Sequence, residues 1–156
     1  VPIEQARILD VGCGYGFLLD VFADAASTHG VDISHHAVEQ ALARSSHDVH
    51  VANVEHGLPF QGTLDVVLAI NVIEHLSDPA AGSTHLRDAL APGGIVIAHL
   101  PTVTHWWTRR FYEWTYASDP THIYRPHGRE VRAMFEAAGM TLVRQSYLPP
   151  TPAWLL

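Results

Sequence analysis

The sequence holds a single cysteine, Cys13, and no lysine at all, so its nine positive charges are all arginine. One cysteine excludes an internal disulfide, and with nothing else pointing to an oxidising compartment a cytoplasmic location is expected. No segment approaches the roughly 18 consecutive apolar residues of a membrane helix. No signal-peptide pattern is read either, so no membrane partner is expected. The net charge of −7 excludes broad nucleic-acid binding, which needs a basic face to neutralise phosphates. Internal repeats and low-complexity tracts are also missing, which removes linker-like readings.

What is present fits one domain spanning residues 1–156, since 47% of residues are hydrophobic and 16% charged, the proportions of an ordinary globular chain. Charge is unevenly placed: residues 1–104 carry three arginines against twelve acids, and residues 105–156 carry six arginines against four acids. The basic segment suits an anionic small-molecule substrate or forms a solvated helix face. The chain starts at Val1 without methionine, and it reads as a piece of a longer protein.

Short apolar runs alternate with amphipathic stretches, the pattern of βα units feeding a mostly parallel sheet. Strands are expected at residues 7–11, 30–33, 49–52, 64–70, 95–100 and 140–147, the last as an antiparallel strand near the C-terminus. A first helix is expected over residues 17–26, and Ser34 is placed to cap a second. Pro79 suits the first turn of a third. Val131, Met134, Phe135 and Ala138 share one face of a fourth, with Gly139 as its left-handed cap. Between Pro101 and Pro126 lies a stretch bearing Trp106, Trp107, Phe111, Tyr112, Trp114, Tyr116 and Tyr124. Residues 101–126 read as a lid that shapes a substrate pocket. The alternatives are a small satellite core or the interface of a homodimer.

The strongest signal is Ile8-Leu9-Asp10-Val11-Gly12-Cys13-Gly14-Tyr15-Gly16, a strand entering a glycine-rich turn and then a helix. A dinucleotide fingerprint would place its third glycine at position 17, where Phe17 stands. Asp10 also argues against a pyrophosphate, because a carboxylate at that strand end would repel it. A ligand with an ammonium, a sulfonium and one carboxylate has the opposite needs: an acid for the cations and backbone N–H groups for the carboxylate. On these residues the chain resembles the class I, Rossmann-like S-adenosylmethionine-dependent methyltransferases, whose first motif is an acid followed by G-x-G-x-G. The fold this implies is a three-layer α/β sandwich, and the cofactor is S-adenosylmethionine.

The resemblance extends along the chain and assigns roles to further positions. Asp32, 22 residues after Asp10, is implied to take both ribose hydroxyls, and Ile33 to flank the adenine. Asn53, where the family more often has Asp, and Val54 are implied at the adenine edge. Backbone near Asn71 and Val72 is implied to meet the methionine amine, with His75 beside the cofactor. Cys13 and Tyr15 belong to the glycine turn. Leu64 to Leu76 resembles the fourth strand of ubiquinone-type and other small-molecule methyltransferases, and Leu90-Ala91-Pro92-Gly93-Gly94 the approach to the fifth. Asp119-Pro120-Thr121-His122 resembles a segment of saccharide and natural-product methyltransferases.

Methyl transfer is an in-line displacement at a sulfonium carbon, so the protein must align an acceptor oxygen or nitrogen and remove its proton. His99 and His122 are the candidate bases, because histidine titrates near neutrality and both sit where the cofactor is expected. Arg109 and Arg110 can meet an anion on the acceptor or stay in solvent. Glu74 and His75 are ligand-type residues, but Asn71 replaces the first carboxylate of the E-x-x-E-H arrangement that certain RNA methyltransferases use for a divalent ion. No metal is therefore expected, and none of the twelve histidines shows zinc-site spacing. Two rival functions are a nicotinamide-dependent oxidoreductase, opposed by Phe17 and Asp10, and a non-catalytic cofactor-binding or regulatory module.

Overall fold

A computed structural model describes residues 2–44, 46–103, 109–110, 114 and 121–146. Five strands form one parallel sheet: β1 (Arg7–Val11), β2 (Ser27–Asp32), β3 (Asp48–Val51), β4 (Leu64–Ile70) and β5 (Leu90–His99), in the spatial order β3-β2-β1-β4-β5. Among the described residues four α-helices connect or follow them: α1 (Phe17–Val21), α2 (His35–Arg44), α3 (Pro79–Ala89) and α4 (Gly128–Ala137). None of the described helices is long and apolar enough to cross a membrane.

Successive residues of a strand face opposite sides, and both sides of this sheet are covered. Leu9, Val11, Val67 and Ala69 pack with Leu86 and Ala89 of α3 and against Met134 and Phe135 of α4. Ile8 and Leu68 point the other way, to Leu18 and Phe22 around α1. Full burial of Leu9 and Leu86 stabilises by about 1.5–3 kcal/mol each. At the lower end of β1 the Arg7 guanidinium and backbone N–H both donate to the Asp65 carboxylate, which fastens the central pair β1 and β4.

The helix ends follow the chemistry of their residues. Ser34 Oγ accepts the Ala37 N–H at 3.2 Å, and Asp78 Oδ1 accepts the Ala81 N–H ahead of Pro79. α4 opens with a reciprocal cap in which the His127 N–H donates to Glu130 Oε2 at 2.8 Å. It ends in a Schellman turn: Gly139 at φ +87° donates to the Glu136 carbonyl, and Met140 N–H to the Phe135 carbonyl.

Four expectations are corrected. The first helix stops at Val21, because Phe22, Ala23 and Ala25 donate to carbonyls three residues back rather than four, tightening the chain into turns. β2 begins at Ser27, three polar residues before the apolar run, because Arg7, Ile8 and Leu9 pair with Ser27, Thr28 and His29. β5 begins at Leu90 and crosses Pro92-Gly93-Gly94 through an irregularity opposite Leu64 and Val66. A side chain at Gly94 would lie 2.8 Å from the Leu64 carbonyl oxygen, so only glycine allows that approach. Finally, residues 140–146 form no strand, and Val143 is 88% exposed. A terminal antiparallel strand needs a ladder of backbone pairing, and the described sheet ends at β5, which pairs with β4. Tyr147 is outside those residues, as are Trp106, Trp107, Phe111, Tyr112 and Tyr116 of the expected lid.

The sheet order matters for function. The chain turns outward in one direction from β1 to β2 and β3, and in the other to β4 and β5. A crevice opens where the direction reverses, above the carboxyl ends of β1 and β4.

Candidate functional site

Beyond β1 the backbone must bend sharply, and Gly12, Gly14 and Gly16 have φ of +74°, +54° and +79°. The turn is tied to β2, with the Gly12 and Cys13 N–H groups both donating to the Val31 carbonyl. At Gly12 a side chain would lie 2.6 Å from Val72 Cγ2, whereas at Gly14 it would meet nothing within 4 Å. Gly12 is thus required by packing against the β4 end, and Gly14 leaves open space for a ligand to approach the backbone. The helix that follows has only five residues. Its dipole is correspondingly small.

Asp32, at the end of β2, is held by two backbone donors: Gly14 N–H reaches Oδ2 at 2.9 Å and Ser34 N–H reaches Oδ1 at 2.8 Å. Each oxygen keeps lone pairs for a hydroxyl, and the carboxylate cannot swing away. Asp10 is different. It is 3% exposed, and among the described residues no donor meets its carboxylate. Burial, and secondarily the Asp32 charge, push its pKa up to about 7.

A cavity of about 290 Å³ occupies the crevice, near the lower end of ligand-pocket volumes. Its walls bring together Gly12, Asp32, Ile33, Asn53, Val54, Asn71, Val72 and His75 from the sequence reading. Val11, Ala52, Glu55 and Leu76 also line it; the sequence reading gave them no site role, but each lies within two residues of one that had such a role. Ile33 is 68% exposed and forms an apolar rim. Asn53 Oδ1 accepts the Glu55 N–H at 2.9 Å, which leaves its amide donors available. The Val54 carbonyl is taken by His85 Nδ1 at 2.7 Å.

Other expected residues lie elsewhere. Cys13 is a packing residue: its Sγ is buried under Gly30, and burial pushes its thiol pKa up to about 12. The Tyr15 ring turns outward beside Phe17 and His36, at centroid distances of 6.4 and 6.2 Å. It lines a separate shallow groove with Phe17, Gln40, Ala43 and Arg44. Gly14, Gly16 and Asp10 underlie the pocket turn without lining the cavity.

At the β4 end Asn71 has φ +55°, the one positive value outside glycine among the described residues. Its N–H donates to the His99 carbonyl at 2.9 Å, and its Oδ1 lies 2.8 Å from His99 Nδ1. Since Oδ1 only accepts, Nδ1 carries the proton and Nε2 is left basic. Four residues on, His75 Nδ1 donates to the Thr121 carbonyl at 3.0 Å. The His122 ring stands 4.7 Å from that of His75 at 88°. Glu74 completes the group from the interior, and burial raises its pKa. Sequence reasoning named Glu74, His75 and His122 but did not bring them together. Arg109 and Arg110 are exposed.

With this geometry in hand, relatives can be weighed. A methyltransferase domain family matches residues 2–145. A ubiquinone biosynthesis O-methyltransferase of Parvibaculum lavamentivorans is 36% identical over 104 residues, covering 61% of this chain and 40% of the relative. The chain therefore spans less than half the length of that relative. Among solved structures, YcgJ of Bacillus subtilis superposes with a TM-score of 0.75 at 23% identity, over 86% of this chain and 62% of that one. The cyclase SpnF superposes at 0.71 and 23% identity, over 86% and 50% of the two chains. These two likenesses show the fold, and the second shows that the fold alone does not fix a reaction. The family match does more: the chain belongs to the methyltransferase domain family, within the class I, Rossmann-like methyltransferases whose cofactor is S-adenosylmethionine.

Proposed function

We propose that this protein transfers a methyl group from S-adenosylmethionine to an oxygen or nitrogen of a small molecule. The observation that carries the reading is the buried, undonated carboxylate of Asp10 beside Asp32, beneath a cavity that Asp32 and Glu55 line and, among the described residues, no arginine does. Two acids without a cation call for a positively charged ligand, and Asp32 adds the acceptors for a diol.

When bound, the cofactor supplies an electrophilic methyl carbon on a sulfonium, and the carbon–sulfur electron pair stays with sulfur. Asp32 takes the ribose hydroxyls through lone pairs not used by Gly14 and Ser34. Ile33 covers an adenine face, while the Asn53 amide and the Val54 backbone read its edge. The turn from Gly12 to Gly16 and the backbone of Asn71 and Val72 hold the methionine end. On the acceptor side His99 Nε2 takes the proton, its ring fixed by Asn71 Oδ1. The name of the Parvibaculum relative supports oxygen as the methylated atom, and the basic 105–156 segment supports an anionic acceptor.

The test pairs calorimetric titration of S-adenosylmethionine, with NADH as the comparison, and methyl incorporation from labelled cofactor into a panel of phenolic and hydroxylated acids. Saturable binding of the first ligand alone, followed by incorporation, is expected. Binding with no incorporation across the panel would assign the protein to the non-catalytic module, and NADH binding would overturn the cofactor reading.

A further inference from the structure

We propose that His85 on α3 is a positioning residue for the cofactor: by holding the Val54 carbonyl it sets the direction of the Val54 N–H, which donates to the base. The inference rests on the methyl-transfer reading, which puts the adenine edge at Asn53 and Val54.

Most polar groups of the turn after β3 are already committed. The Asn53 carbonyl accepts the His56 N–H at 2.9 Å, and Asn53 Oδ1 accepts the Glu55 N–H at 2.9 Å. The Val54 carbonyl accepts the His85 Nδ1–H at 2.7 Å. A carbonyl oxygen only accepts, so Nδ1 carries the ring proton. The peptide between Val54 and Glu55 is therefore held from both edges, its oxygen by His85 and its N–H by Asn53.

The Val54 N–H is left over. Val54 is 5% exposed, yet no acceptor among the described residues meets this N–H. A buried backbone donor without a partner carries a desolvation cost that a ligand acceptor removes. In a trans peptide the N–H points opposite to the carbonyl. Because the Asn53 oxygen turns inward to His56, the Val54 N–H points out of the turn, at a residue that lines the cavity.

The face of α3 that meets this turn carries His85. Asp78, Gly82 and His85 follow at helical spacing, which puts them on one side of the helix and its cap. The Asp78 N–H donates to Glu55 Oε1 at 2.5 Å. At Gly82 a side chain would lie 2.6 Å from Leu76 Cδ1 and 3.9 Å from Val54 Cγ1, so the helix comes close to Val54 where it has no side chain of its own. His85, nearly one turn further on, supplies the hydrogen bond that fixes the Val54 backbone. Without it the turn keeps its packing but not the aim of its free donor.

On the edge that bears its amine, adenine offers one ring-nitrogen acceptor, N1, and this is the partner assigned to the Val54 N–H. The experiment is calorimetric titration with S-adenosylhomocysteine and with its 1-deaza analogue, in which C–H replaces N1. Wild type should bind the first about tenfold more tightly, the worth of one buried hydrogen bond. His85→Leu, which keeps bulk but no donor, should lose about fivefold or more in affinity for S-adenosylhomocysteine and less than about twofold for the analogue. His85→Asn places an amide nitrogen where Nδ1 was and should restore the discrimination. If His85→Leu does not fold, His85→Gln, whose amide is displaced from that place, serves as the deficient variant. Equal weakening of both ligands, no discrimination by wild type, or an Asn variant that behaves like the deficient one overturns the proposal. S-adenosylhomocysteine binding by wild type in those cases leaves the cofactor reading standing, whereas its absence sinks both.

Discussion

Asp10 should make cofactor binding proton-linked. Its pKa in the ligand-free protein is raised to about 7 from 3.8, so it is mostly protonated at pH 6 and mostly ionised at pH 8. A ligand carrying a sulfonium and an ammonium favours the ionised form. Binding at pH 6 must therefore expel nearly one proton, and the Asp10 contribution makes apparent affinity about tenfold weaker at pH 6 than at pH 8, about 1.4 kcal/mol. Calorimetry in buffers of different ionisation enthalpy reads the released proton directly. The ligand's own amine titrates in the same range with the opposite sign, but it does so identically for wild type and Asp10→Asn. The difference between their pH curves isolates Asp10. Stability must move as well: a carboxylate with a raised folded pKa contributes stability that is full below its unfolded pKa and is lost as pH rises through the folded value. Ligand-free wild type should lose stability between about pH 4 and 7, and Asp10→Asn should exceed it by roughly 2–4 kcal/mol at pH 8. Parallel pH curves for the two proteins, in binding and in melting, would refute the argument.

Other substitutions separate the parts of the site. Asp32→Ala should weaken S-adenosylmethionine binding by about 1–3 kcal/mol through lost charge-assisted hydrogen bonds, and unchanged affinity in a calorimetric titration removes Asp32 from the site. Gly12→Ala places a methyl 2.6 Å from Val72 at φ +74°; a loss of about 1–3 kcal/mol in denaturant unfolding is expected, and wild-type stability would show that the turn relaxes. His99→Gln should lower kcat by about 10²–10⁴ with cofactor affinity retained. Equal turnover would leave His99 as a partner of Asn71 only.

How much of this was legible in the sequence depended on the residue types. β1 and β4 matched their expected bounds because Arg7–Val11 and Leu64–Ile70 are mostly apolar and largely buried, with the pair Arg7 and Asp65 at their lower ends. β2 begins among Ser27, Thr28 and His29, which no apolar pattern marks. Those side chains are instead satisfied by one another and by His47 and Asp48. Likewise Pro92-Gly93-Gly94 reads as a break, yet the strand runs through it by a local irregularity. Pocket residues at strand ends were visible because a turn after a strand must expose them. The outward turn of the Tyr15 ring was not legible, since a residue between two left-handed glycines can point either way. The Glu74–His75–His122 group was invisible because pairing residues so distant in sequence requires the fold.

The contact between Gly12 and Val72 joins the two halves of the site. Gly12 follows β1 on the side proposed for the cofactor, where Asp32 and the turn lie, and Val72 follows β4 next to Asn71, the partner of His99. The space between them admits no additional methyl group, and Asn71, at φ +55°, adjoins Val72 and holds the ring of His99 through its Oδ1. The side of the crevice proposed for the cofactor and the side proposed for the acceptor therefore meet at one close-packed place. That adjacency follows from placing the first and fourth strands side by side, which is where the chain reverses direction.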